Sequence, residues 1–358
     1  MGMNNRERFN CVMNFEKPDE FPLMEFMGFW PETVAAWSRL PNVKGQDLNE
    51  HFGLIEQKVV PINFNFIPAF EKKILEQTEN YILLIDECGC TKKIENRENC
   101  SSMPQYIDFP IKSRRDFEEI KERMDGADHL RRYPANWDTM AAKYSNRDYP
   151  LGAVIRGPFA FCRDFMNFEH LMMLAYDEPE LIKDMMCFQT DFTIKLWDKL
   201  LRDVELDFVF FGEDMAYKNG PMFSPVMLNN LLKPLYKKLI GFVKGNGIKN
   251  VILDSDGNVN SLLELFADSG VTCIQPIERT AGMDPEEIRK KYPRLQMIGG
   301  IDKLNIAKGK KGIEEEMKKV KAIIGKSGWL PCFDHSVPPI ISYENYKLYV
   351  ESLREAVN

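Results

Sequence analysis

One pattern repeats through these 358 residues: a short apolar run, a polar or acidic stop, then an amphipathic helix. The runs are "FPLMEFM" (21–27), "QKVVPINFNF" (57–66), "PLGAVIR" (150–156), "DFVFFGED" (207–214), "NVILDSD" (250–256), "VTCIQPIE" (271–278), "LQMIGGID" (295–302) and "GWLPCFDH" (328–335). A closed (β/α)8 barrel needs eight such units, and strands that alternate with helices pair in parallel. An open doubly wound sheet is the competing α/β arrangement, but no phosphate-loop glycines follow these runs. No low-complexity segment or Gly/Ser linker divides the chain, so 1–358 reads as a single TIM-barrel domain. A further run, "NYILLIDECGCTKKI" (80–94), reads as an N-terminal hairpin inserted near the top of the barrel.

Helix starts are legible too. Asp177 with Pro179 and Glu180 reads as the opening of a long helix that reaches about Leu201. Ser224–Pro225, Asp284–Pro285 and Ser342 open three more.

Composition narrows the function. Net charge is −7 and the pI about 5.4, with no basic stripe, which argues against nucleic acid as a partner. No apolar run reaches the roughly 18 residues of a membrane span, and the start has no apolar signal-peptide core. The eight cysteines are scattered, with no CxxC, and read as free thiols of a reducing cytoplasm.

The carboxyl ends of barrel strands form the active-site mouth. Here they carry Glu25, Arg156, Glu213, Asp214, Asp254, Asp256, Glu278, Asp302, Cys332, Asp334 and His335. Any one of these acids alone reads as a helix cap or a loop residue. Many converging on one mouth repel, and persist when a cation, a proton or a cationic substrate sits among them. "DSDG" (254–257) ends a buried run on two carboxylates. It is not a calcium loop, because Gly257 comes too early and Leu265 stands where the closing Glu belongs. Cys332 and His335 are metal-binding residue types, although a rigid turn beside Asp334 accounts for the histidine as well. Arg156 either holds a substrate carboxylate or neutralises nearby acids. Phe26, Phe29 and Trp30 read as the aromatic wall of a pocket.

Five stretches carry a family resemblance: "NRERFNCVMNFEKPDEFP", "IRGPF", "SPVMLNNLLKPLYKKLIGFVKGNG", "DPEEIRKKYPRLQMIGGIDK" and "DHSVPPIISYENYKLYVESLRE". In this order they resemble the uroporphyrinogen decarboxylase superfamily almost end to end. The resemblance implies one (β/α)8 barrel, a homodimer, and either porphyrinogen decarboxylation or methyl transfer with a corrinoid protein. True decarboxylases carry an arginine-rich motif near the N-terminus. The matching stretch here, "FMGFWPETVAAWSRL", has Arg39 alone. Eight substrate carboxylates entering an acidic mouth would each meet like-charge repulsion of about 1 kcal/mol or more. The methyltransferase branch is therefore expected.

That branch places a zinc site at His-x-Cys-Gly and a later Cys, and its methionine synthase relatives add a Glu on the following strand. Asp254-x-Asp256-Gly257 occupies the His-x-Cys-Gly position, Glu278 ends the next strand and Cys332 stands at the last-strand position. The resemblance thus implies one divalent metal, zinc first, on Asp254, Asp256, Glu278 and Cys332. Two soft ligands replaced by carboxylates favour a harder metal, weaker zinc, or acids used without metal. Asp256, His335 and Glu213 are the catalytic candidates; Glu25, Phe29, Trp30 and Arg156 are the substrate-binding ones. The expected reaction moves a methyl group from a small methylated substrate, of the methyl ether or methylamine class, to cob(I)alamin on a separate corrinoid protein. A uroporphyrinogen decarboxylase-type carboxy-lyase is the alternative, and a barrel that only binds is the third reading.

Overall fold

The computed structural model describes residues 2–96, 103–326 and 328–358; Cys100 lies outside them. Seven parallel strands form the main sheet in chain order: β1 (Lys58–Val59), β2 (Leu151–Arg156), β3 (Phe208–Gly212), β4 (Asn250–Asp254), β5 (Cys273–Gln275), β6 (Gln296–Ile298) and β7 (Trp329–Leu330). Helices connect them, as parallel pairing requires.

The expected first strand, 21–27, is not a regular strand. Pro22 has no N–H to give a ladder. The segment is held by scattered bonds instead. Ile55 N–H donates to the Leu23 carbonyl at 2.8 Å. Phe333 N–H donates to the Glu25 carboxylate at 3.1 Å, and Phe29 bridges Val337 in parallel. The segment therefore lies between the chain beside β1 and the chain beyond β7, in the eighth position of a TIM-barrel-like fold. All seven strands are shorter than the expected runs, and Pro61, Pro276 and Pro331 interrupt the ladders soon after β1, β5 and β7.

Tyr81–Ile85 and Thr91–Glu95 pair antiparallel, as the middle of a four-stranded sheet with Lys73–Gln77 and Gln105–Asp108 at its edges. Asp86 shapes the turn between the middle strands by accepting from Cys88 and Cys90 N–H, and Cys90 Sγ donates to the Asp164 carbonyl at 3.5 Å. That bond fixes the turn to the loop side of the barrel.

Ser224, Asp284 and Ser342 each accept an N–H of the first turn that follows them. The long helix Pro179–Asp203 differs: Glu178 is its N-cap, with no side-chain bond, while Asp177 is the last residue of the preceding helix Phe168–Asp177. Two abutting helices leave Asp177 no free turn to cap.

Alternation along the strands sorts the side chains. Val209 and Phe211 point outward and are buried under helices; the Phe211 ring stacks on Trp197 of Pro179–Asp203 at 5.6 Å. Burying a ring of this size stabilises by about 1.5–3 kcal/mol. The opposite face of β2, β3 and β4 points into the barrel. At the amino end it is plugged, where Gln296 donates to Asn250 Oδ1 at 2.9 Å and to the Met13 carbonyl at 2.6 Å. Towards the carboxyl end, Val154, Arg156, Phe210, Gly212 and Asp254 are only partly buried, although Ile155, Val209, Phe211 and Leu253 between them are fully buried. The barrel interior is thus open to solvent on this side, as a well.

Candidate active site at the barrel mouth

One row of residues crosses the top of the well. Arg156, Gly212, Asp254 and Gln275 are direct register partners on β2, β3, β4 and β5. Below them the Phe26 ring stacks on Phe210 at 6.1 Å and tilts against Phe208 at 5.9 Å, which gives the well an aromatic floor.

The loop after β4 answers why two carboxylates follow a buried strand. Asp254 ends the strand facing inward, and Gln275 donates to its Oδ1 at 2.7 Å. Burial pushes the Asp254 carboxyl well above its usual range, and the charges of Asp214 and Asp256 add to the effect. Ser255 turns away and accepts Met215 N–H at 2.9 Å. Asp256 returns to the mouth, and its own N–H donates to Asp214 Oδ1 at 3.2 Å. Gly257 N–H donates to Glu278 Oε2 at 2.9 Å. Glu278 therefore clamps the loop by its backbone.

His335 faces this loop. Its Nε2 lies 3.7 Å from Asp256 Oδ2, and its Nδ1 accepts Ser336 N–H at 2.8 Å. The Asp256 carboxylate raises the histidine above its ordinary value, against the effect of burial. A neutral ring that accepts at Nδ1 carries its proton on Nε2, towards Asp256.

Among the described residues Arg156 and Arg163 reach the mouth, and both are paired. Arg156 Nε donates to Asp164 at 3.0 Å, and its guanidinium lies 5.1 Å from the Phe165 ring centre. Arg163, from helix Pro158–Phe165, bridges Asp164 at 3.0 Å and Asp214 at 3.3 Å. Sequence reasoning passed over Arg163, because nothing in its neighbourhood on the chain marks it. Asp214 was visible as a strand-end acid, but not as the residue that holds Asp256. Its left-handed φ of 43° is a conformation that non-glycine residues seldom adopt.

The remaining candidates sit elsewhere. Glu213 is fully buried and accepts from Tyr236 OH at 2.6 Å and from Ala160 N–H at 2.8 Å, so it serves the start of helix Pro158–Phe165. Burial pushes its carboxyl up to about 7. Glu25 is turned outward to the last helix, Tyr343–Val357, where Tyr346 OH donates to it at 3.1 Å; burial pushes it up to about 8. Phe29 packs edge-on against Tyr346 at 5.4 Å and Trp37 at 5.8 Å, as core rather than pocket wall. Trp30 is partly buried and precedes helix Pro31–Trp37, for which it is the N-cap. Asp334 is buried against Lys303 Nζ at 3.0 Å.

The donor set expected for a metal does not fit one. Asp254 is held by Gln275, Glu278 by a backbone N–H, and burial beside Glu25 raises the Cys332 thiol, which favours S–H over the thiolate that binds metal. Among the described residues no three His, Cys, Asp or Glu side chains gather as a ligand group. Nor, among them, is any helix long and apolar enough to cross a membrane.

The fold has a solved counterpart. A methyltransferase from Methanosarcina mazei superposes with a TM-score of 0.65 at 17% identity, covering 99% of each chain. A B12-independent methionine synthase from Shewanella sp. W3-18-1, in complex with selenomethionine, gives a TM-score of 0.43 at 12% identity over 94% of each chain. No curated protein matches the sequence. The model of one family, uroporphyrinogen decarboxylase (URO-D), matches residues 82–356. With the inward row at the strand ends and a family match over most of its length, the chain belongs to the uroporphyrinogen decarboxylase family.

Proposed function

We propose that this chain transfers a methyl group from a small methylated substrate, a methyl ether or methylamine, to a corrinoid carried by a separate protein. One observation carries the reading: an apolar-floored well lies under proton-bearing groups, while both arginines at its mouth are already paired with carboxylates. A porphyrinogen with eight carboxylates would need free positive charge there, and would meet Asp254, Asp256 and Glu278 instead. The shared fold with the Methanosarcina mazei methyltransferase supports the same choice.

The corrinoid supplies the nucleophile that takes the methyl group. The chain's residues handle the substrate. Phe26 and Phe210 hold the methyl-bearing end and exclude water from it. When the carbon–heteroatom bond breaks, its electron pair stays on oxygen or nitrogen; an ether oxygen or a neutral amine then needs a proton, whereas a methylated ammonium leaves as the neutral amine. His335 points its Nε2–H at the Asp256 carboxylate at the mouth, and this pair, sharing the proton between them, delivers it as the general acid. Asp214 and Glu278 keep Asp256 in place through backbone bonds.

The test mixes purified chain with cob(I)alamin and panels of methoxy and methylamine donors under anaerobic conditions. Loss of the cob(I)alamin spectrum with donor is expected, and a His335→Gln variant should slow it about 10²-fold. Decarboxylation of uroporphyrinogen with no methyl transfer would overturn the reading in favour of a carboxy-lyase.

A further inference from the structure

We propose that the well binds a small N-methylated ammonium cation, seated over Gly212 between the Asp254 carboxylate and the Phe210 ring. The proposal rests on the methyl-transfer reading of the same site and selects the cation over the neutral ether.

Gly212 sets the geometry. A Cβ built there would lie 3.8 Å from the Phe210 ring and 4.0 Å from Asp254 Oδ2, with nothing nearer. Any group resting on Gly212 therefore touches an aromatic carbon and a carboxylate oxygen at once. Gln275 fixes Asp254 through Oδ1 alone, and among the described residues no donor reaches Oδ2. Phe210 is partly exposed into the well and is backed by Phe26, stacked at an interplanar angle of 20°. An aromatic ring beside one free carboxylate oxygen is a pairing that suits a methylated ammonium group, whose charge is spread over its methyls.

The charge balance points the same way. Asp214, Asp254, Asp256 and Glu278 crowd the mouth, while Arg163 and Arg156 are shared with Asp164. A cation in the well relieves repulsion that a neutral ether would leave in place. Burial, with the charges of Asp214 and Asp256, raises the Asp254 carboxyl, while Gln275 and Arg163 work against it; a cation beside Asp254 would favour its charged form.

Calorimetry of the unmodified protein decides this without cobalamin. The probes are choline and 3,3-dimethylbutan-1-ol, which puts carbon where choline has its charged nitrogen. Choline should bind at least about tenfold more tightly. Asp254→Asn should abolish the preference, and Gly212→Val should block both probes by filling the seat. Equal binding of the two probes, or a preference that survives Asp254→Asn, overturns the proposal. The two readings fail separately. Methyl transfer from a methoxy donor, with no preference for the cation, would sink the cation site and keep methyl transfer. Selective choline binding with no donor ever methylating cob(I)alamin would do the reverse.

Discussion

His335 is held from both sides: Asp256 Oδ2 stands 3.7 Å from its Nε2, and Ser336 N–H donates to its Nδ1 at 2.8 Å. The two contacts act in opposite directions. A carboxylate favours the imidazolium, whereas a donor at Nδ1 favours the neutral ring. Asp256 is the larger influence, and the histidine is raised above 6.5.

The first prediction follows from that balance. His335 should keep its proton to higher pH than an ordinary histidine, so acid-dependent turnover should extend above about pH 6.5. Asp256→Asn removes the charge that raises it, and the alkaline limb of the pH–rate profile should move down. NMR titration of the ring protons, with His335→Gln to assign the signal among four histidines, reads the same shift directly. An unchanged titration in Asp256→Asn would show that the contact does not govern the proton.

The second prediction concerns Gly257. Its φ is +82°, and a Cβ would come within 2.6 Å of the Ala216 carbonyl and 2.7 Å of the Tyr217 carbonyl. Gly257→Ala should destabilise the fold by about 1–3 kcal/mol and push Asp256 away from His335. Thermal unfolding reads the first effect and loss of turnover the second. A variant as stable as the parent would mean that the loop after β4 yields freely.

The fold was more legible than the site, for a physical reason. Strand positions and the caps at Ser224, Asp284 and Ser342 depend on neighbours a few residues away, which the chain shows directly. The segment 21–27 misled because its alternation looks like a strand while its partners, Ile55 and Phe333, lie far off in the chain. Glu213 and Asp214 are adjacent in sequence, yet one serves a helix start and the other holds Asp256. Only the direction of each side chain separates them, and one-dimensional spacing does not encode it. The pairing of Arg163 with Asp214 joins residues 51 positions apart, which no local motif records.

The third prediction uses Glu25. Its carboxyl is pushed up to about 8 in the fold, far above the ordinary value of 4.5. The folded chain thus binds a proton there that the unfolded chain has lost, and the group's contribution to stability falls as pH rises from 4.5 through about 8. Glu25→Gln copies the protonated acid: its oxygen can accept Phe333 N–H and its amide can donate to Tyr346. The variant should match the parent near pH 5 and melt a few degrees higher near pH 9. Parallel melting curves across that range would show that Glu25 does not carry the proton.

The last prediction concerns the metal that the resemblance implied. Asp254, Asp256, Glu278 and Cys332 are committed elsewhere. Gln275 holds the first, and the second stands opposite His335. Gly257 N–H occupies an oxygen of the third, and burial keeps the thiol of the fourth protonated. To gather them round an ion, Asp254, Asp256 and Glu278 would have to turn their remaining oxygens to one point, where no such group gathers among the described residues, and Cys332 would have to lose its proton in a buried setting. Each change costs energy that a loosely held divalent ion does not return. Protein prepared without chelator should therefore carry under about one-tenth of a metal per chain, and exhaustive chelation should leave methyl transfer intact. Cys332→Ser should change turnover less than about threefold, because serine keeps a small donor in the same buried space. Asp256→Asn should lower turnover about 10²-fold through His335, with no change in metal content. Stoichiometric zinc that leaves with Cys332→Ser, together with activity, would reverse this reading and return the acids to the role of ligands.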